Sequence, residues 1–413
     1  MTALELNCHI KNMSQKYYVV FVRDELPRPA AHLVWAAHCA NGASNLGYPS
    51  LLVYLKRGNR ALNPLDWIVP FQPQKPDREL QEFYNLQDRL RVLPLAMPWP
   101  IDRLKTRWTN SSTAVCKYYL PFHIAPHTGI VHTRDWNFVK AAIANGLPVV
   151  YEHHHYNPKP FEPEIVNSKL FQIAVTLSQP VLEDMLGKGM PAEKILKLHS
   201  GLNPLFLKRQ PEAAEAWRVE LLNEKASHLV VYSGGLYPFK GVNLLLEVAQ
   251  KLPQVQFAFA GGSPEQVNAY RKVASGKCLD NVIFLGHLPQ MQLAALLQAA
   301  DILTHPHSIG KAASVTSPLK FFDYLASGSP IVATEIPPLM EFKSANVVAG
   351  WCPPNQAQPL TDCIEKVLAE CPRNPDGNAK NIEFARQFSW EKRIQTILDR
   401  VDPAFKVNLE PVA

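Results

Sequence analysis

Short apolar runs alternate with helix-like stretches along this chain, and the alternation strongly limits the folds available to it. The runs are apolar or β-branched, and most are followed by a turn residue and a helical pattern. Continuous apolar strands between helices are typical of parallel sheets covered on both faces. The sequence therefore predicts an α/β protein with doubly wound, Rossmann-like sheets. The predicted strands are Tyr17–Val22, Leu51–Leu55, Gly129–His132, Pro148–Glu152, Ile173–Ser178, Ile195–Leu198, His228–Tyr232, Val255–Ala260, Asn281–Leu285, Asp301–Thr304, Pro330–Ala333 and Val347–Ala349.

The runs form two series, which predicts two domains. A chain of 413 residues is long enough for both. Between the series lies Leu202–Trp217, with two prolines and mixed charge, and we place the hinge near residue 205. The predicted domains are 1–204 and 205–388, with a last helix at 389–401 and a flexible tail at 402–413. Such domains are expected to face each other across a cleft, with ligands at the strand ends.

Charge and cysteine usage narrow the class of protein. The net charge of +6 suits an anionic ligand or a membrane surface, and no basic run carries the interleaved aromatics of a nucleic-acid site. The seven cysteines are scattered without a CxxC pair, which favours a reducing compartment over disulfides or zinc. No signal pattern or membrane-spanning run is evident, so the expected location is cytoplasmic.

The loop after the predicted strand at His228–Tyr232 has the composition of an anion site. Gly234 and Gly235 let a ligand approach the backbone, and an amphipathic helix follows from Val242. The start of that helix offers free N–H groups and a positive dipole end, beside the charge of Lys240. A plain strand-turn-helix with a surface lysine remains the alternative. The spacing fits neither the dinucleotide nor the P-loop fingerprint.

A second half-site follows in the same domain. Ser317 is a natural N-cap and Pro318 a natural first helical residue, which exposes the N–H groups of Leu319 and Lys320. Asp323 lies one turn further on the same helix face. Its carboxylate suits the two vicinal hydroxyls of a ribose. Simple capping and a helix-dipole carboxylate are the alternatives for these residues.

These stretches together resemble the family 4 retaining glycosyltransferases of the GT-B fold. The segment Ser317–Thr334 is similar to that family's donor-site helix, written roughly S-P-x-K-x-x-E-Y-x-A-x-G-x-P-I-V-A, and Gly234–Gly241 to its phosphate loop. The resemblance covers roughly residues 129–401 and is strongest from 228 to 340. Weaker matches to the family's other segments are Leu198–Asn203, Val131–Arg134, Val149–His154 and Phe388–Trp390.

The resemblance implies a role for each matching position. Lys240 would pair with the donor diphosphate beside Gly234 and Gly235, and Asp323 would hold the ribose. The residues Ser317, Pro318, Leu319 and Lys320 would offer main-chain donors. The loop formed by Gly286, His287 and Leu288 would contact the base, and His154 the sugar. The helix that begins near Ser389 would pack back onto the N-terminal domain.

Three departures from the family pattern bear on the donor site. Gly235 stands where the family usually carries an arginine, so one phosphate charge is missing. Asp323 replaces the second glutamate of the E-x7-E pair, and Val315 occupies the first position, which normally touches the sugar. Among the three consecutive histidines, the motif register favours His154. A metal site at His153–His155 is disfavoured because adjacent strand residues point to opposite faces.

The function implied is glycosyl transfer from a nucleoside diphosphate sugar, with UDP favoured, to an acceptor hydroxyl with retention. No cofactor or metal is expected. A non-catalytic nucleotide-binding subunit and a sucrose-phosphate-synthase-like enzyme with a sugar phosphate acceptor remain alternatives. A nicotinamide oxidoreductase lacks its glycine fingerprint here, and a nucleotide-sugar epimerase lacks acid and base carboxylates.

The acceptor is the open part of this prediction. It is expected to bind residues 1–128, where the resemblance is weak, and it is a sugar, a sugar phosphate or a lipid-linked sugar. The segment Pro98–Trp108 combines two tryptophans with three cations, a composition compatible with peripheral membrane contact as well as with ordinary packing.

Overall fold

The structure is a computed structural model that describes residues 16–58, 63, 65–97, 110–156, 158–222, 224–310 and 319–407. The chain forms two compact units. Unit 1 contains the chain up to Leu198 and the segment from Trp390, and unit 2 is His199–Ser389. The observed boundary therefore precedes the hinge predicted near residue 205. The predicted site residues Ser317 and Pro318, and the whole segment Pro98–Trp108, lie outside the described residues.

Unit 1 is built on one parallel sheet of seven strands in the order β3-β2-β1-β4-β5-β6-β7. The central strand β1 pairs with β2 and β4, so that Val19 lies between Leu51 and Val131. Its strands are mostly buried, as expected for a sheet covered by helices. The strands are β1 (Tyr17–Phe21), β2 (Ser50–Lys56), β3 (Arg91–Ala96), β4 (Thr128–Thr133), β5 (Val149–Glu152), β6 (Phe171–Thr176) and β7 (Ile195–Lys197).

The helices of unit 1 connect these parallel strands. Asp77 and Asp135 cap two of them with side-chain oxygens that accept from backbone N–H groups. Val115–Ile124 is π-helical, and Ala125–His127, Ala192–Lys194 and Pro403–Phe405 are short 3-10 turns. The α-helices are α1 (Ala31–Asn45), α2 (Leu65–Ile68), α3 (Arg78–Tyr84), α4 (Ser111–Ala114), α5 (Trp136–Ala144), α6 (Pro163–Val166) and α7 (Gln179–Gly187).

Unit 2 has a parallel sheet of six strands in the order β10-β9-β8-β11-β12-β13. Counted within the unit this is the order 3-2-1-4-5-6 of a Rossmann sheet, with its switch point between β8 and β11. Ligands of such sheets bind beyond the carboxyl ends of the strands at that point. The strands are β8 (His228–Ser233), β9 (Val255–Ala260), β10 (Val282–Gly286), β11 (Ile302–His305), β12 (Ile331–Thr334) and β13 (Gly350–Cys352).

Helices connect the strands of unit 2 as well. Ser263 and Gln266 form a full capping box at the start of one of them. Short 3-10 turns lie at Pro204–Leu207, Pro238–Lys240 and Lys343–Ala345. The α-helices are α8 (Pro211–Leu221), α9 (Val242–Lys251), α10 (Pro264–Gly276), α11 (Gln290–Ala299), α12 (Leu319–Ser327), α13 (Pro337–Met340), α14 (Ala357–Glu370) and α15 (Ala379–Arg386).

The last helix, α16 (Trp390–Leu398), belongs to unit 1. It packs on α1, where a Cβ added to Gly42 would lie 3.1 Å from Trp390, and His38 stacks on the Trp390 ring. The tail predicted to be flexible from residue 402 is instead folded as far as Val407. Asp402 caps a 3-10 turn, and the Val407 side chain is buried near Gly129.

Candidate functional site

The loop after β8 crosses the switch point of the unit 2 sheet. Gly234 has φ +125°, a conformation that side chains disfavour, and its N–H donates to the carbonyl of Ala260 at 2.8 Å. Gly241 has φ +77°, and any Cβ there would overlap the carbonyl oxygen of Pro306. Both glycines are therefore required for the loop to lie between the strand ends of β9 and β11.

Helix α12 is attached to this loop by Tyr324. The tyrosine hydroxyl accepts a hydrogen bond from the N–H of Ser233, the last residue of β8, at 2.8 Å. The contact joins the middle of α12 to the end of β8, where the glycine loop begins. Leu319 and Lys320 form the first turn of the described part of the helix.

Lys320 lies against the glycine loop with its side chain, although the sequence predicted only a backbone role for it. Its Nζ is 3.9 Å from the ring centroid of Tyr232 and 3.0 Å from the position of a Cβ on Gly234. This Nζ is buried and makes no hydrogen bond within the described chain. Burial, and then the charge of Lys240, hold the pKa of Lys320 well below its usual value.

Lys240 ends the 3-10 turn that precedes α9. Its Nζ lies 5.6 Å from the ring centroid of Tyr237 and 5.9 Å from that of Phe239. Burial lowers the pKa of Lys240. Because Lys240 also lowers the pKa of Lys320, the two amines lie within electrostatic reach of each other. Two desolvated lysines at strand ends form a pocket suited to an anion.

His305 and His307 complete this pocket, and the sequence analysis missed both. They flank Pro306 at the end of β11, are each 1% exposed, and stack with ring centroids 4.0 Å apart. Their four ring nitrogens make no hydrogen bond among the residues that the structure describes. Burial, and then nearby positive groups including Lys320, hold their pKa values well below the usual range. A His-Pro-His sequence directly after a predicted strand was the signal for them.

Asp323 follows Lys320 by one turn of α12 and is partly buried. Burial raises the pKa of its carboxyl group to about 7. Perturbed carboxyl groups of this kind are enriched at functional sites. The next residue, Tyr324, accepts the hydrogen bond from Ser233 at the end of β8.

The remaining predicted donor residues lie on neighbouring loops. Gly286 ends β10, and its carbonyl accepts from the N–H of Gly261 at 2.6 Å, which joins the loops after β9 and β10. His287 is exposed and Leu288 is half-buried. Gly235 precedes Leu236, and a Cβ added to Gly235 would lie 2.7 Å from the Tyr237 ring.

Unit 1 contains a buried carboxylate with three side-chain partners. Arg393 of α16 donates to both oxygens of Glu152, at 2.7 and 3.0 Å, across 241 residues of sequence. His132 lies 3.0 Å from one oxygen and His154 2.6 Å from the other, each through Nε2. Burial alone would raise the pKa of Glu152, but Arg393 and the two histidine hydrogen bonds hold it well below its usual value.

The ionised carboxylate determines the histidine tautomers, because it can only accept hydrogen bonds. Both His132 and His154 must donate through Nε2, which leaves Nδ1 of each as an acceptor. His132 Nδ1 is bonded to the hydroxyl of Tyr18 at 2.5 Å. Burial, and then Arg134, lower the pKa of His154 to about 3. His154 is therefore neutral and suited to accept a hydroxyl proton in a hydrogen bond.

His153 and His155, the neighbours of His154 in sequence, have different surroundings. His153 is buried, with Nδ1 2.9 Å from the Tyr151 hydroxyl and its ring against Phe161. His155 is exposed, and its Nε2 lies 3.0 Å from the guanidinium of Arg134. The three side chains therefore do not converge on one point.

Ligand atoms of Cys39, His132 and Glu152 lie within 4.8 Å of one another, close enough to contact a single metal ion. Both oxygens of Glu152 are already occupied by Arg393, which is always charged. Burial raises the pKa of the Cys39 thiol far above its usual value. The residues fit a guanidinium in this position better than a divalent cation.

The fold is that of the GT-B glycosyltransferases. The structure of HepE from Anabaena in complex with UDP and glucose matches 92% of this chain and 99% of HepE, with a TM-score of 0.66 and 17% identity. Sucrose-phosphate synthase from Thermosynechococcus elongatus matches 93% of this chain and 98% of its own, with a TM-score of 0.66 and 16% identity. These likenesses establish the fold, two α/β units each with a parallel sheet.

Residues 213–388 match the model of the family "Glycosyl transferases group 1". The match covers most of unit 2. A D-inositol 3-phosphate glycosyltransferase from Corynebacterium aurimucosum is 27% identical over 39% of this chain and 40% of its own length. The putative teichuronic acid biosynthesis glycosyltransferase TuaH from Bacillus subtilis is 24% identical over 54% of this chain and 55% of its own. The chain thus aligns with about half the length of these relatives.

Proposed function

We propose that this protein transfers a sugar from a nucleoside diphosphate sugar, with UDP favoured, to an acceptor hydroxyl with retention at the anomeric carbon. The observation that carries the proposal is the anion pocket at the switch point, where Lys240 and Lys320 are desolvated beside the glycine loop. The family match over most of unit 2 supports it, as does the fold shared with HepE, a protein crystallised with UDP and with UDP-glucose.

The pocket matches the charge that develops during the reaction. The bond between the anomeric carbon and the β-phosphate oxygen breaks, a bond to the acceptor oxygen forms, and the acceptor's proton passes to the departing diphosphate. Negative charge grows on the departing diphosphate. Preorganised positive groups in a site with little water stabilise such charge strongly. Burial lowers the pKa of Lys240 and Lys320, but a bound diphosphate favours the protonated amines, which then supply the positive charge. The reaction is therefore expected to proceed in EDTA.

Two further groups, one in each unit, have roles in the proposed reaction. Asp323 would accept hydrogen bonds from the ribose hydroxyls of the donor. His154, as a neutral acceptor through Nδ1, would bind a sugar hydroxyl. Its pKa of about 3 makes it a weak base, so positioning of the sugar is the expected contribution.

A sugar phosphate acceptor is favoured by a second cavity, in unit 1. The cavity has a volume of about 460 Å³ and lies beyond β1 and β4. Its lining combines cations with hydroxyl and amide groups, which suits a phosphate together with sugar hydroxyls. The lining residues are Arg23, Asn110, Ser112, Thr113, Cys116, Lys117 and Asn137.

The test is a donor screen on the purified chain that measures nucleotide release. UDP-glucose and other UDP-sugars are mixed with pooled sugars or sugar phosphates in EDTA, and released UDP is measured by luminescence. Release that requires an acceptor supports the proposal. Tight UDP binding without release from any pool would instead indicate a nucleotide-binding subunit without transferase activity.

A further inference from the structure

The loop after β8 has one positive charge fewer than the family pattern, since Gly235 stands in the arginine position. A diphosphate is usually bound by more than one cation or by several charge-assisted hydrogen bonds. We infer that the side-chain amine of Lys320 is the second cation of the diphosphate pocket and replaces the absent arginine from a different element of the fold. The inference rests on the proposed function, and it concerns a side chain for which the sequence predicted only a backbone contact.

The position of Lys320 is the first support. Its Nζ and Cε lie 3.0 and 3.1 Å from where a Cβ on Gly234 would be. The amine thus fills the space above the glycine backbone, which is where a phosphate approaching the loop must pass. Tyr232, whose ring lies 3.9 Å from Nζ, holds the amine there by a cation–π contact.

The lack of a counter-ion is the second support. Lys320 Nζ is buried and makes no hydrogen bond within the described residues. The groups that influence it are Lys240, His305 and His307, none of which carries negative charge. Burying an amine without a partner costs folding free energy. A bound anion would offset this cost by pairing with the amine. A diphosphate would satisfy the amine and the adjacent imidazoles together.

The backbone at Gly235 can accept an arginine, the residue that the family pattern usually has at this position. Gly235 does not have the left-handed backbone of Gly234, so an L-residue is compatible with its φ. A Cβ there would lie 2.7 Å from the Tyr237 ring, which stacks on Phe239 but is 50% exposed, so the ring must shift toward solvent to admit a side chain. An arginine at residue 235 can therefore test whether one cation substitutes for the other.

The experiment measures the Kd of UDP and of UMP by calorimetry for five proteins. They are the wild type, Lys320→Met, Lys320→Arg, the double variant Lys320→Met with Gly235→Arg, and the control Lys277→Met, which removes an exposed lysine of unit 2. We expect Lys320→Met to weaken UDP binding at least tenfold and UMP binding much less. Lys320→Arg and the double variant should recover most of the UDP affinity, and Lys277→Met should change neither Kd.

Folding is checked on the same samples by thermal unfolding. Removing an unpartnered buried amine should leave the melting temperature of Lys320→Met at or above that of the wild type. UDP affinity within twofold of the wild type in Lys320→Met overturns the inference, as does an equal loss of UDP and UMP affinity. A wild-type protein that binds no UDP would instead overturn the proposed function itself. If Lys320→Met does not fold, Lys320→Gln replaces it, and the same two outcomes for UDP and UMP affinity decide.

Discussion

At the scale of single residues, Asp323 gives the clearest dependence on pH. Its pKa is raised to about 7 by burial, whereas an unfolded aspartate titrates near pH 3.9. A carboxyl group whose pKa is higher in the folded than in the unfolded state stabilises the fold in its protonated form. The stabilisation is complete below the pKa of the unfolded state and is lost as the pH rises through about 7.

The variant Asp323→Asn cannot ionise, so it should keep its stability over that range. The unfolding free energy of Asp323→Asn minus that of the wild type should rise between pH 4 and about 7 and stay constant above it. The rise should be at most about 4 kcal/mol, because one pKa unit corresponds to about 1.4 kcal/mol. Urea unfolding at a series of pH values measures it. A flat difference would mean that Asp323 titrates normally.

The same variant tests the ribose contact. The ionised carboxylate can accept from both ribose hydroxyls, whereas the side-chain amide in Asp323→Asn accepts through one oxygen only. Hydrogen bonds to a charged group contribute about 1.5–3 kcal/mol, so UDP affinity should fall by about tenfold or more. Calorimetry at pH 8, where the carboxyl group is ionised, measures the change. Unchanged affinity would assign Asp323 to the helix alone.

The prediction for His154 separates sugar contact from nucleotide binding. His154→Ala should lower the rate of transfer at least tenfold, the loss expected for one or two hydrogen bonds, and leave the Kd of UDP within twofold. His154 lies in unit 1, whereas the proposed diphosphate pocket lies in unit 2. The matched control is His155→Ala, which removes an exposed imidazole. A larger loss in the control would show that the sequence register of the histidines was misread.

The residues of the candidate site differ in how far sequence alone could predict them. Gly234 and Lys240 follow a strand in a recognisable loop, and the structure places both at the switch point. The side chain of Lys320 could not be placed from sequence, because its environment is made by Tyr232 on a distant strand. The contact of Arg393 with Glu152 spans 241 residues, and no local pattern encodes such a pairing.

At the scale of elements, helix α16 is held by an ion pair and by packing. Arg393 donates to both oxygens of Glu152, and Trp390 packs on α1. Removing one partner of a buried ion pair leaves the other charge uncompensated, which costs about 3–5 kcal/mol. Arg393→Met should lower the unfolding free energy by this amount.

Arg400→Met is the control, because it removes an exposed arginine just beyond the same helix, and it should change stability by less than about 0.5 kcal/mol. Urea unfolding followed by circular dichroism measures both. Adding Glu152→Gln to Arg393→Met should recover part of the loss, because the unpaired charge is then absent. Equal stability of the two single variants would mean that the ion pair contributes nothing to the attachment of α16.

The two elements that sequence patterns described worst are both edge strands. β3 was missed because Pro94 interrupts its apolar run, and proline is tolerated at the edge of a sheet, where β3 lies. β13 was predicted at Val347–Ala349 but forms at Gly350–Cys352. The other two edge strands, β7 and β10, form within one residue of their predicted limits, so edge position alone does not explain these two errors. The central strands, buried on both faces, were predicted within about two residues.

At the scale of the whole molecule, an exposed apolar surface on unit 1 bears on the identity of the acceptor. No helix in the described part of the chain is long and apolar enough to span a bilayer. Tyr118 donates from its hydroxyl to the carbonyl of Trp67 at 3.0 Å, which joins the π-helical segment to α2. The surface patch so formed consists of Leu65 (63% exposed), Ile68 (66%), Val69 (54%), Tyr118 (42%) and Phe122 (68%).

Clustered exposed apolar side chains often mark an interaction surface, and a lipid-linked acceptor would require one at the bilayer. If the acceptor is lipid-linked rather than a sugar phosphate, the protein should sediment with anionic vesicles at low salt and less at high salt, because salt screens the attraction of its cations. The double variant Ile68→Ser, Phe122→Ser should remain in the supernatant. The control Val219→Ser, which removes an apolar side chain 77% exposed on unit 2, should sediment like the wild type. If the wild type stays in the supernatant at low salt, the acceptor is a soluble one, and the polar cavity beside Arg23 becomes the site at which to test sugar phosphates.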